Sequence, residues 1–102
     1  MKSIHEFIED LKKRGYSVKF DASVKGKSGA LHRVDVLAES PKGKKIVGLE
    51  KHGKEIAVEI MNTFVVALDG EAEACYIVDR KLDEENRKLA EHYRITLLTG
   101  GV

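Results

Sequence analysis

Two acids stand where the surrounding sequence makes acids expensive. Asp35 sits between Val34 and Val36, and Glu50 closes the run Ile46-Val47-Gly48-Leu49. Asp is depleted in β-strands, and a carboxylate taken out of water is costly unless a cation or a donor meets it. Between the two acids, Ser40-Pro41-Lys42-Gly43-Lys44 reads as a hairpin turn that keeps Pro out of the ladder. Asp35 is six residues before Pro41 and Glu50 seven after Gly43, so a hairpin brings them near-opposite, toward its open end. Two hard oxygen ligands at one point suit Mg²⁺ or Mn²⁺, which need few protein ligands and keep waters for chemistry on phosphate. The alternative is that each acid is a strand-end charge paired with a lysine. His52, two residues after Glu50, is able to serve as a base, a proton donor or a third metal ligand.

The elements that must hold these residues can be taken in order. Ser3-Ile4-His5-Glu6 has the form of a capping box, followed by Ile4, Phe7, Ile8 and Leu11 at helical spacing, with Gly15 as the stop. Residues 16–20 alternate as a half-buried strand, and Lys25-Gly26-Lys27-Ser28-Gly29 is a flexible turn. Residues 33–38 and 45–50 are the next two strands. Between Glu55 and Leu68 the residues Ile56, Ile60, Phe64 and Leu68 fall four apart, which selects a helix ended by Gly70. Cys75-Tyr76-Ile77-Val78 is a continuous apolar run, the pattern of a strand covered on both faces. Asp83-Glu84-Glu85 opens a helix with acid at its positive end. Ile95-Thr96-Leu97-Leu98 is the last strand, and Gly100-Gly101 trail off. The predicted order is α-β-β-β-α-β-α-β. Short connections make the first three strands antiparallel, and helical crossovers make the later ones parallel. The expectation is an α/β fold, a mixed β-sheet flanked by helices, in a single domain over 1–102.

Composition excludes several classes. With 42% apolar residues and one Pro, the chain is not disordered. A lone Cys75 rules out a disulfide framework or a multi-cysteine zinc site and suits a reducing cytoplasm. No apolar run approaches the roughly 18–20 residues of a membrane span, and no signal peptide opens the chain, so a cytoplasmic protein with no membrane partner is expected. The formal charge of +1 conceals an asymmetry: 13 basic against 7 acidic residues over 1–54, and 5 against 10 over 55–102. Such a split hints at a polyanionic partner. Lys25, Lys27, Arg33, Lys42, Lys44 and Lys45 gather about the two turns that flank the acid pair. Phosphate backbones reward such clusters through counterion release, whereas the plainer reading is a solvated, Lys-rich turn guarding a sheet edge.

These residues carry a family resemblance. Lys27-Ser28-Gly29, then His32-Arg33-Val34-Asp35-Val36-Leu37-Ala38, then Gly43-Lys44-Lys45-Ile46-Val47-Gly48-Leu49-Glu50-Lys51-His52 resemble the restriction-endonuclease-like, or PD-(D/E)XK, nuclease superfamily. The stretch looks closest to small archaeal and type IV restriction-like domains, and the resemblance runs in order from the first helix to the last strand. It implies a restriction-endonuclease-like α/β core, DNA as partner, and phosphodiester hydrolysis that depends on Mg²⁺ or Mn²⁺. It implies that Asp35 and Glu50 hold the metal, that the position of His52 completes the catalytic set, and that the basic turns track the phosphate backbone. In the family pattern that last position is Lys, which stabilises the attacking water or the developing phosphate charge. This chain departs there: Lys51 is adjacent but points to the opposite face of a strand, and Lys54 follows in the turn. The implied activity is a metal-dependent DNA endonuclease with an atypical Glu50-Lys51-His52 motif. The alternative is a non-catalytic nucleic-acid-binding or oligomerisation module that keeps the fold.

Other residues have simpler readings. Glu6 has its work in the capping box, Glu9 is solvated, and Cys75 is a small core residue. In helix 55–68 the residues Ala57, Val58, Ile60, Met61, Phe64, Val65, Val66 and Leu68 cover well over half the circumference. A helix this apolar is buried on more than one side, so a homodimer or an appended domain is expected to pack on it.

Overall fold

The computed structural model describes residues 1–100; Gly101 and Val102, and with them the expected trailing end at Gly101, lie outside the described residues. The elements are α1 (Ile4–Lys13), β1 (Ser17–Lys25), β2 (Leu31–Glu39), β3 (Lys45–Glu50), α2 (Ile56–Asp69), β4 (Glu73–Val78), α3 (Glu84–His92) and β5 (Ile95–Thr99). Their order is the one read from the sequence. The five strands form one mixed sheet, β1-β2-β3-β4-β5. The first three strands are antiparallel and joined by short turns, whereas β3, β4 and β5 are parallel and joined by helices.

Two apolar layers enclose the sheet. On one face Ile4, Ile8 and Leu11 of α1 meet Val36, Ala38, Ile46, Cys75, Ile77 and Leu98. On the other, Ile60, Val66 and Ala67 of α2 and Ala90 of α3 meet Leu37, Val47, Tyr76, Val78 and Ile95. β4, paired on both sides, therefore sends alternate residues into two cores, which is why its sequence shows no polar alternation. Cys75 is free and buried, and burial pushes its thiol up to about 12. Ser3 caps α1, its hydroxyl accepting the Glu6 amide at 3.1 Å; the Glu6 carboxylate accepts that hydroxyl at 3.3 Å in place of the Ser3 amide of a full capping box.

β1 and β2 are longer than their apolar alternation suggested, because the hairpin changes face midway. Val18, Val36 and Ala38 belong to the α1 layer, yet Ala22, Val24 and Val34 pack in the α2 layer. The reversal falls where Asp21, in the left-handed region at φ 48°, lies across from Asp35 and the regular pairing is interrupted. The distal half of the hairpin folds over α2. Its tip docks on the helix end, where the Asp69 carboxylate accepts the Ser28 amide (2.9 Å) and hydroxyl (2.7 Å) and lies 2.6 Å from His32 Nε2. Gly26 touches this carboxylate so closely that a Cβ would sit 1.7 Å from Asp69 Oδ2.

α2 is covered on its sheet side and on the flank where Phe64 meets Tyr93 of α3 at 4.7 Å. A stripe of Val58, Met61, Val65 and Leu68 stays exposed, so the chain by itself does not cover all of the apolar surface of this helix. Among the described residues no helix is long and apolar enough to cross a membrane.

Candidate functional site

Topology decides where the acids meet. The parallel strands β3, β4 and β5 all end at the same edge of the sheet. The helices run back between them, and Ser3 bridges to Thr99, so α1, α2 and α3 all begin at this edge. Carboxyl ends of parallel strands and the positive ends of helices are where anionic ligands bind in open α/β sheets.

Asp35 and Glu50 are both at this edge. The β2–β3 ladder pairs Val36 with Gly48, and one further step sets Asp35 across from Leu49. In place of that backbone pairing, the Asp35 carboxylate accepts the Glu50 amide through Oδ2 at 2.7 Å. The expected near-opposite placement is thus met to within one residue, and the register is closed by a side chain. The same Oδ2 lies 3.2 Å from His52 Nε2. Asp35 is 20% exposed and His52 60%, so the ring stands in solvent over a half-buried carboxylate. Asp35 is held by the Glu50 amide and His52 rather than by a lysine.

Two clefts flank the site. One, of about 350 Å³, is bordered by Glu50, His52, Lys54, Glu59, Asn62 and Tyr76. The other, of about 380 Å³, lies between Glu50, Lys51, Ile77, Asp79 and Gly100. Glu50 belongs to both. Asp79 is held below the usual carboxylate range by its hydrogen bond from Arg80, with a smaller contribution from the charge of Lys51. Lys51 and Lys54 are therefore the lysines that border clefts next to Glu50, one in each. Among the described residues no group of three or more His, Cys, Asp or Glu side chains converges as a metal site. The contact between the two acids runs from the Asp35 carboxylate to the Glu50 backbone amide, and Asp35 Oδ1 has no hydrogen bond among the described residues.

The basic residues fall elsewhere. Lys44 and Lys45 stand at the start of β3 and Glu50 at its end, about 17 Å apart at the usual rise per residue. The folded hairpin brings Lys27 to the same end as Lys44 and Lys45, where they border a shallow groove with Glu71 and Glu73, and Lys44 Nζ is 3.5 Å from Glu73. Lys25, Arg33 and Lys42 are exposed on the hairpin and the β2–β3 turn. Lys27, Lys44 and Lys45 therefore stand at the opposite end of β3 from Glu50. The length of β3 is the physical reason for Lys44 and Lys45, and the folding of the hairpin over α2 for Lys27.

The sequence reading passed over Glu59. It is 8% exposed on the sheet side of α2, where it accepts the Tyr76 hydroxyl and the amides of His52 (2.9 Å) and Lys54 (3.2 Å). A signal for it exists. The buried face of α2 runs through Glu59, Ile60, Thr63, Val66 and Ala67, the i, i+1, i+4, i+7, i+8 pattern that the four-apart count missed. An acid on that face demands a buried donor, and Tyr76 in the most buried strand supplies a hydroxyl with the matching demand.

No protein-family model matches the chain, and no curated protein is significantly similar to it. Among solved structures it is similar to the crystal structure of a protein of unknown function, AF1548, with a TM-score of 0.69 and 24% sequence identity. The likeness covers 93% of this chain and 55% of that one, so the chain spans about half the length of that protein. At this identity the likeness concerns the fold alone.

Proposed function

We propose that the chain is a metal-dependent DNA endonuclease of the restriction-endonuclease-like superfamily, with Asp35 and Glu50 as ligands of Mg²⁺ or Mn²⁺ and His52 in the position of the usual lysine. The observation that carries this reading is the direct bond of the Asp35 carboxylate to the Glu50 amide, with the His52 ring on the same oxygen. The donor set fits the ion: hard oxygens, few protein ligands and room for water. When bound, such an ion would polarise the phosphate and acidify the attacking water. The rest falls to the chain's own groups. An imidazole that donates Nε2–H to Asp35 leaves Nδ1 free to take a proton. His52 then accepts the proton of the attacking water as the new P–O bond forms and the bond to the ester oxygen breaks, and the leaving oxygen takes up a proton from solvent water. Lys54 and the helix N-termini offset negative charge on the phosphate. A non-catalytic nucleic-acid-binding module is the second reading, favoured by one observation: the absence of Lys at position 52.

The test is cleavage of plasmid and branched DNA with Mg²⁺ or Mn²⁺. Wild-type cleavage that falls by at least about 100-fold in Asp35→Ala and Glu50→Ala supports the nuclease. No wild-type cleavage, together with steeply salt-dependent binding, moves the reading to the binding module. His52→Lys separates the two further: gained activity marks a degenerate site, whereas lost activity assigns His52 to the chemistry.

A partner for α2 belongs to the same proposal. Val58 and Leu68 lie five residues either side of position 63, and Met61 and Val65 two either side. An antiparallel pair of α2 helices about a two-fold axis would therefore set Val58 against Leu68 and Met61 against Val65, the self-complementary pattern of an isologous dimer. A second copy of the chain is the occupant this spacing favours.

A further inference from the structure

Among the charged side chains of the described residues, Glu59 is the most buried, and its bonds run in two directions. Oε1 accepts the hydroxyl of Tyr76, which is wholly buried on β4. Oε2 accepts the amides of His52 and Lys54. Gly53 between them adopts φ +88°, a left-handed conformation that aims flanking amides at one point and forms a small anion-binding nest. Burial, with Glu59 beside it, pushes the Tyr76 phenol well above its ordinary value, so Tyr76 remains a donor. The path is continuous: β4, Tyr76, Glu59, the 52–54 turn, the His52 ring and Asp35. Anchoring α2 to β4 needs only the Tyr76 bond. The two bonds to an exposed turn, whose amides water could satisfy, go beyond that need.

We propose that Glu59 is a positioning residue, whose carboxylate fixes the 52–54 turn so that His52 is held on Asp35 and Lys54 borders the cleft they share. The catalytic consequence rests on the nuclease reading above; the positioning itself does not. Two substitutions separate shape from hydrogen bonding. Glu59→Met keeps similar length and removes the acceptors. Glu59→Gln keeps one oxygen for the two amides and turns its NH₂ toward the Tyr76 oxygen, so it is the expected rescue.

In Glu59→Met, amide hydrogen exchange at His52 and Lys54 should rise by on the order of tenfold or more, and the His52 ring-proton shifts should become those of an unrestrained histidine. Exchange at Cys75 and Ile77 should stay as in wild type, and Glu59→Gln should restore the turn. In an active enzyme, kcat of Glu59→Met should fall on the order of 100-fold with KM unchanged. A folded Glu59→Met whose two amides and His52 ring match wild type overturns the inference. Should Glu59→Met not fold, scalar couplings across the hydrogen bonds of the wild-type protein decide: couplings from the Glu59 carboxylate to both amides support it, and their absence refutes it. Wild-type protein that never cleaves DNA sinks the nuclease reading and leaves the spectroscopic result standing. An active enzyme with an unmoved turn sinks the positioning alone.

Discussion

Asp35, Glu59 and Asp69 share a physical solution to the cost of a half-buried or buried carboxylate: each accepts at least one backbone amide. Of the three, it is in Asp69 that such bonds lower the titration of the carboxyl. At Asp69, bonds from His32 and then from the Ser28 hydroxyl and amide lower it from 3.8 to about 2. The sign follows. A depressed folded value means the stabilisation is complete above the unfolded value and is lost as pH falls from about 4 to about 2. The Ser28 amide resonance should therefore follow a single titration with its midpoint near pH 2, and Asp69→Asn should abolish it. A midpoint near pH 4 would show that the hairpin tip does not hold this carboxylate. At this scale Asp35 and Glu50 stand out along the chain because acids interrupt apolar runs, and His52 because it falls two residues after Glu50. Glu59 and Asp69 were not, because their donors come from residues 5 to 41 positions away.

The β1–β2 hairpin is the element on which local reading and tertiary packing differ most. Alternation over 16–20 and 33–38 gives strands with a constant inward face. The left-handed Asp21 opposite Asp35 reverses that face, and the distal half wraps α2 instead of extending the sheet. Docking depends on the close approach of Gly26 to Asp69. Gly26→Ala should displace this carboxylate from Ser28 and His32 and destabilise the fold by about 1–3 kcal/mol, read as a lower urea midpoint with little change in slope. An unchanged midpoint would mean that the tip contributes nothing to stability. The same wrapping brings Lys27 to the end of the sheet where Lys44 and Lys45 stand, a placement invisible to any count along the chain.

For the molecule as a whole, α2 is the boundary between what is finished and what is open. Its sheet side is buried; Val58, Met61, Val65 and Leu68 are not. Four side chains supply only part of the roughly 800 Å² per partner of a standard interface, so the expected self-association is weak. Sedimentation velocity over a wide concentration range should show a reversible monomer–dimer equilibrium that Val65→Glu abolishes without changing the far-ultraviolet circular dichroism. A monomer at every concentration would leave the stripe to an adjoining segment or another protein. The sequence by itself determined the order and type of every element, the burial of β4 on both faces, the Ser3 cap of α1 and the acids that interrupt their strands. Those are set by period and by local backbone chemistry, within a few residues of the position concerned. Only the tertiary structure decided that the hairpin reverses its face, that Glu59 and Asp69 clasp turns outside their own helix, and that Lys27 joins Lys44 and Lys45. These depend on where a carboxylate finds donors once the chain is folded, which no spacing along it records.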